Sequence, residues 1–524
     1  MRMKSLAALL LSAASVAIVA GQQKQGAQDV FLSVGGDVNK PGPDGTTAIH
    51  RAVLANDLKS VQALIKAGAD VQAANQYHVT PMWLAANNGN AAILDALMAA
   101  GADPNTVLSE GETVLMTAAK TGEPETVRTL IAHGANVNAK ESWYGQTALM
   151  WAVIENNAEA AKLLIGAGAD VGARTNTPPA GGRGGGGGDG TRGGFTPLMF
   201  AARQGSIEAA QVLVDAGANL NQVDPDGISP MQVALLSGHY DFAGFLIKKG
   251  ANVNLADRTG RGPLYVAVDM HSLEWRFNRP APKKVEKQYG SADIVKMLLE
   301  HGADVNAQLG AGILGPSRAA TGNRNLTKGS TPFLKAATTS DVEMMKLLLE
   351  WGADPFQTNA THTNALMMVA GLNWQPQASI GPQDDAIEAA KLLLDRGLDV
   401  NARNDLGQTA LHGAASRTEE RDANKLIQFL VDRGADLYAK TGAPTPGGGY
   451  GAAQQAAAAA AGAPAGRGGV PAGQMPIDTA RGGLGDIDAM GNPSTRPANH
   501  RTMALLEELM KKHPDPSKAS AQAQ

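Results

Sequence analysis

The chain has 524 residues, of which 44% are hydrophobic but only 4% aromatic, with 62 glycines, no cysteine and a formal net charge of -4. The missing cysteine excludes disulfides, thiolate metal sites, a cysteine nucleophile and lipoprotein acylation, and the weakly acidic balance gives no overall basic field for nucleic acid or anionic membranes. Few aromatics among many glycines fit small-residue helix packing with frequent turns better than one large core. At the start, Arg2 and Lys4 precede an uncharged run over 6–20 that ends in small residues at Ala20 and Gly21, the pattern of a cleaved secretory signal over 1–21. The run is shorter than the roughly 20 apolar residues of a spanning helix, and later apolar runs are cut by Gly, Asp or Asn, so no stable membrane span is predicted. A periplasmic or secreted location follows from that reading.

From there a unit repeats. A hydroxyl residue opens a helix at Thr47, Thr80, Thr113 and Thr147, in steps of 33, 33 and 34 residues, and a glycine closes a second helix 21 residues after each, at Gly68, Gly101, Gly134 and Gly168. The same spacing returns in Thr196 and Gly217, Ser229 and Gly250, and Thr331 and Gly352. Thr at the helix start can accept an orphan backbone N–H, and Pro81, Pro197, Pro230 and Pro332 then stand where a missing N–H costs nothing. Small pairs such as Ala85-Ala86 and Ala118-Ala119 let first helices approach closely, while Leu163-Leu164 and Leu298-Leu299 give the second helices their buried stripe. A hairpin turn such as Asp224-Pro225-Asp226-Gly227 leads to the next copy.

These residues resemble the ankyrin repeat family. Thr409-Ala410-Leu411-His412 and Gly302-Ala303-Asp304-Val305-Asn306 nearly reproduce its Thr-Pro-Leu-His and Gly-Ala-Asp-Val-Asn signatures. The resemblance implies an all-α solenoid of helix-turn-helix units with β-hairpin fingers, about ten repeats plus partial caps. It also implies a structural hydrogen bond at His50 and His412. Gly262 and Asn364 replace the opening Thr, so those helix starts are expected to be less firmly held. The predicted organisation is a partial N-terminal cap at 22–40, repeats 1–4 over 41–173, a Gly-rich insertion at 174–193, repeats 5–7 over 194–306 with an insertion at 271–289, and a further insertion at 307–328. Repeats 8–10 follow over 329–440 with an insertion at 372–383, then a Gly/Ala/Pro-rich insertion at 441–474, a capping repeat at 475–513 and a disordered tail at 514–524.

Little here carries chemistry. The glycines of 181–194 match a phosphate loop only trivially, since no strand precedes them and no Gly-Lys-Ser/Thr follows. Asp224 and Asp226 open like a calcium loop whose later ligands are missing. The ten histidines include no His-Glu-x-x-His, and there is no G-x-S-x-G elbow. The longest stretch outside the repeat frame, 441–474, falls short of the roughly 40 residues an unaided core needs. Arg183 and Arg192 are too few for phosphate-driven binding. The expectation is a protein without catalytic residues, metal or cofactor, not an enzyme, that binds a protein partner and no nucleic acid.

Partners of ankyrin arrays usually lie on the concave side, built from hairpin tips and first helices. Aromatic residues there are informative because they give large contact area at low entropic cost. Tyr77, Trp143 and Tyr144 fall at variable hairpin positions, with Trp83 and Trp151 on first helices beside them, where packing between repeats is the plainer role. The candidate recognition patch is Tyr77, Trp143 and Tyr144 with Gln76, Glu110, Glu112 and Asn87. A second candidate is the insertion at 271–289, where Trp275, Arg276 and Phe277 stand with Arg279, Lys283, Lys284 and Lys287 against Glu274 and Glu286. That segment suggests, as the alternative, a structural protein in contact with the cell envelope.

Overall fold

The hydroxyl of Thr80 accepts the N–H of Trp83 at 3.3 Å while Pro81 fills the first helical position, so that helix can begin at one residue only. The same cap recurs from Thr113 to Met116, Thr147 to Met150, Thr196 to Met199, Ser229 to Gln232 and Thr331 to Leu334, at 3.2–3.4 Å. Asn364, expected to weaken its helix start, does the same work: its side-chain oxygen accepts from Met367 at 3.0 Å. That expectation is corrected, because Asn is among the strongest N-caps.

The computed structural model describes residues 37–108, 110–177, 193–272, 289–310, 327–372, 383–417, 423–442, 473–481, 484–487, 493–495 and 498–516. Outside them lie the signal segment, most of the N-terminal cap, the core of each insertion including Trp275, Arg276 and Phe277, and the tail beyond 516. The described residues fall into two compact units that divide between Pro225 and Asp226.

The first unit is a stack of five helix pairs: α1 (Ala48–Leu54) with α2 (Leu58–Lys66), α3 (Pro81–Asn87) with α4 (Ala91–Ala99), α5 (Val114–Thr121) with α6 (Pro124–Ala132), α7 (Ala148–Ile154) with α8 (Ala158–Gly166), and α9 (Pro197–Gln204) with α10 (Ile207–Asp215). The alanine pairs are the reason first helices stack so closely. Ala85, Ala86, Ala118, Ala119, Ala201 and Ala202 are all fully buried, and a larger side chain there would force neighbouring helices apart. Leu97, Leu130, Leu164 and Leu213 fill the space between successive second helices and are likewise fully buried. Each second helix ends at a glycine such as Gly101, whose φ of +97° is a left-handed conformation that stops the helix without strain.

The second unit repeats the plan in α11 (Pro230–Leu236) with α12 (Tyr240–Lys248), α13 (Pro263–Ser272) with α14 (Ser291–Glu300), α15 (Pro332–Thr338) with α16 (Val342–Glu350), α17 (Ala365–Ala370) with α18 (Gln383–Leu394), and α19 (Ala410–Ala415) with α20 (Asn424–Asp432). A closing pair, α21 (Pro476–Ala480) and α22 (His500–Lys512), is interrupted by a two-stranded antiparallel ribbon of β1 (Leu484–Ile487) and β2 (Pro493–Thr495).

Two ladders of hydrogen bonds run along each unit. In the first, an asparagine four residues after the closing glycine, present in most repeats, reaches forward one repeat; Gln72 takes the place in the first repeat and Phe356 in the eighth. Asn138 donates to Gly168 O at 2.9 Å and accepts the N–H of Asp170 at 2.9 Å. Asn39, Asn105, Asn254, Asn306 and Asn401 make the same pair of contacts. Gly172 stands at this position in the fourth repeat and cannot. Tyr438 stands there in the tenth, and its hydroxyl reaches instead to the end of the closing helix, 3.1 Å from Met510 O and 3.0 Å from His513 O.

The second ladder joins the fingers. Each finger closes on one backbone bond, as in Asn75 N to Val79 O at 3.1 Å. Neighbouring fingers are then tied edge to edge by bonds such as Ser142 N to Glu110 O at 2.9 Å and Asn176 N to Tyr144 O at 2.7 Å. The three insertions between repeats leave from this closing bond. Thr175 N to Phe195 O, Leu309 N to Ser330 O and Thr441 N to Gln474 O, at 2.9–3.0 Å, seal their bases, so each is an enlarged finger on an intact stem.

Candidate recognition surface

The fourth finger, 141–146, is one residue longer than the second, 75–79: its closing bond runs from Glu141 N to Gln146 O, five residues, where the second closes from Asn75 to Val79, four. The step of 34 between Thr113 and Thr147 has its cause here. The extra residue puts two aromatic side chains at the tip. Trp143 and Tyr144 are 62% and 61% exposed, and their rings stack with centroids 6.0 Å apart and planes 22° from parallel.

What holds this tip is Glu141. Its side chain is buried, and its carboxylate accepts the N–H groups of Trp143 at 2.6 Å, Tyr144 at 2.8 Å and Gln146 at 2.9 Å. In other fingers an Asx side chain does this, as Asn75 does for Tyr77 and Val79, so the longer loop is matched by a longer acid. A carboxylate on three backbone donors makes charge-assisted bonds that fix the turn. Sequence reasoning passed over Glu141, although its place at an Asx position beside the two aromatics was the available signal.

The other candidates are spread over neighbouring fingers. Tyr77 is 58% exposed on the second finger, two fingers from Trp143 and so about 20 Å away at ordinary helix-layer spacing. Gln76 is exposed and its N–H is tied to Asp44 O at 3.0 Å. Glu110 is exposed on the third finger, directly beside the fourth. Glu112 serves inside the frame: its Oε1 accepts Trp83 Nε1 at 3.3 Å and Thr117 Oγ1 at 2.7 Å. Asn87 is exposed at the end of α3, away from the finger tips. Trp83 and Trp151 are half-buried between repeats, with Lys120 Nζ 5.5 Å from the Trp151 ring centroid. Beside the fourth finger lies an open depression lined by Lys140, Arg174, Asn176, Gly194 and Pro225. Its cations are turned inward, Lys140 Nζ to Arg174 O at 2.9 Å and Arg174 Nη1 to Gly194 O at 3.2 Å and Val223 O at 2.8 Å.

Polar groups inside the frame are structural. His50 is fully buried: Nδ1 faces Thr47 Oγ1 at 2.8 Å and Nε2 faces Val79 O of the next repeat at 3.1 Å. Since the carbonyl can only accept, the proton sits on Nε2, and desolvation pulls the imidazole pKa below its usual range. His412 repeats this between Thr409 and Gln474 O. Gln232 is an unforeseen equivalent, accepting from Ser229 N at 2.9 Å and donating to Arg261 O at 2.6 Å. A buried pair, Asp269 and Lys335 at 3.0 Å, joins α13 to α15. Burial, then the nearby Asp269 carboxylate, holds the Tyr265 hydroxyl well above its usual pKa. Among the described residues no group of three His, Asp or Glu side chains is arranged to hold a metal ion, and no helix is long and apolar enough to cross a membrane.

Helix pairs with hairpin fingers, stacked by small residues and presenting exposed tips, define a repeat protein of the interaction-scaffold class. Ankyrin-repeat family models match residues 16–107, 82–175 and 186–257 as triple repeats, 378–427 as multiple repeats, and 259–308 and 328–360 as single repeats. The chain belongs to the ankyrin repeat family, whose members are typically non-enzymatic modules for protein–protein interaction. An ankyrin repeat protein of Acanthamoeba polyphaga mimivirus is 32% identical over 146 residues, 28% of this chain and 20% of that protein. The human Notch-regulated ankyrin repeat-containing protein is 39% identical over 57 residues, 11% of this chain and 50% of that one. A potassium channel of Oryza sativa subsp. indica is 38% identical over 60 residues, 12% of this chain and 6% of the channel. The matched segment thus spans a fifth of the mimivirus protein and half of the human one.

Proposed function

We propose that the chain is a non-catalytic protein-binding scaffold that works outside the cytoplasm, and that its partner docks on the fingers and first helices of the first unit, the concave side of an ankyrin array, around Trp143 and Tyr144. The observation that carries this reading is the stacked, exposed pair at a tip fixed by a buried glutamate. Two large apolar rings held open to solvent forgo burial, and a rigid turn lowers the entropy lost when they are covered. Export is supported by Arg2, Lys4 and the uncharged run over 6–20.

The test is capture of a partner from native extract by wild-type protein and by the Trp143→Ala/Tyr144→Ala variant. Helicity should not change, and affinity for the captured protein should fall by about 30-fold or more, the loss of ordinary hot-spot anchors. Equal affinity would remove the patch from the interface. Cell fractionation tests the location, since retention of the full-length precursor in the cytoplasm would contradict export.

A further inference from the structure

We infer that the group received by the Trp143–Tyr144 tip is a cation, the arginine or lysine side chain of a basic polypeptide segment; this rests on the preceding reading of the same surface. Stacked aromatic rings open to solvent present π-faces, whose quadrupole is negative and attracts a guanidinium or ammonium. The buried Glu141 carboxylate lies directly under the turn that carries both rings, bonded to their own backbone N–H groups. Its hydrogen bonds stabilise the negative charge and do not remove it. Glu110 stands exposed on the adjoining finger, whose carbonyl accepts Ser142 N at 2.9 Å, and Glu112 follows on the same finger. Lys140, the basic residue preceding the tip, keeps its charge but is turned away from the rings, its ammonium held on Arg174 O at 2.9 Å.

The surroundings have the same sign. The described residues of the first unit hold 17 Asp and Glu against 10 Lys and Arg; over all its residues the count is 18 against 15, still acidic. An acidic partner would be repelled by Glu110 and Glu141 at the tip, and an apolar one would strip water from Glu110 without offering it a counter-charge. A planar guanidinium satisfies both features, stacking on a ring while donating to a carboxylate.

The experiment uses the full chain and three fluorescent peptides of equal length, alternating Gly with Arg, with Gln or with Glu, followed by anisotropy at low and high salt. The Arg peptide should bind at least about tenfold more tightly than the Gln or Glu peptide and should weaken in high salt. Trp143→Ala/Tyr144→Ala, which leaves every charge in place, should weaken the Arg peptide about tenfold, and Glu110→Gln about threefold. Unchanged binding by the aromatic double variant would show a diffuse acidic effect and overturn the inference. Equal binding of the Gln peptide, or no binding of the Arg peptide, would overturn it as well. In those cases partner capture by the wild type and its loss in the double variant would still stand, so the two readings fail separately.

Discussion

At the scale of single residues, His50 and His412 set a pH limit on the frame. Both must be neutral to accept from threonine and donate to a carbonyl one repeat ahead, and burial lowers both pKa values from 6.5. Below that value the unfolded chain takes up protons while the folded chain does not, so stability is complete above pH 6.5 and is lost as pH falls toward the lowered folded value. The carboxylates Asp44, Asp57 and Glu208 are shifted downward and act only below 3.8 to 4.5. Thermal unfolding at about pH 7.5 and about pH 5.5 should therefore show a loss that His50→Gln/His412→Gln largely abolishes, because Gln232 already makes the same bridge without titrating. An undiminished pH effect in that variant would assign it elsewhere. Glu141→Ala makes a local prediction: three backbone N–H groups lose their acceptor, costing about 1–3 kcal/mol, with tryptophan emission at the tip becoming more solvent-like. Native emission in that variant would mean the turn holds without its carboxylate.

At the scale of elements, helix starts and ends were plain in the sequence because each is a local event: a hydroxyl, a proline and a glycine act within one turn of chain. Bonds that reach forward by some 30 residues were not legible, since they depend on how copies stack. Asn138, which looks like an ordinary loop residue, ties two repeats together by both ends of its amide. Asn138→Ala should cost about 1–2 kcal/mol with helicity retained. The reverse change is available at Gly172, where an added Cβ would meet no atom closer than 3.5 Å and the backbone needs no left-handed φ. Gly172→Asn should supply the missing clamp to the following repeat and raise stability by about 1 kcal/mol; a lower melting temperature would show that the gap has another purpose. The aromatic tip was legible as residues but not as a fixed turn, because the glutamate that holds it stands where other fingers carry Asn or Asp and its role shows only by comparison with them.

At the scale of the whole molecule, the ten helix pairs and closing pair among the described residues follow the period read from the sequence, and the division at Pro225 and Asp226 did not show in it, because the repeat frame runs through that point without a change of pattern. The enlarged fingers put insertion tolerance on a physical footing. Their stems are sealed by the same bond as an ordinary finger, so removing 178–192 and joining 177 to 193 should alter stability by no more than about 1 kcal/mol, as loop closure predicts. A cooperative loss larger than that, seen in denaturant titration, would reveal a stabilising role for the segment. Tyr438 governs how such a stack is closed. Where most earlier copies offer an amide to their successor, this one gives its hydroxyl to the end of the final helix and fastens the closing pair to the tenth copy. Tyr438→Phe should therefore let the last turn of α22 open first, seen as faster amide exchange there with the preceding helices unchanged.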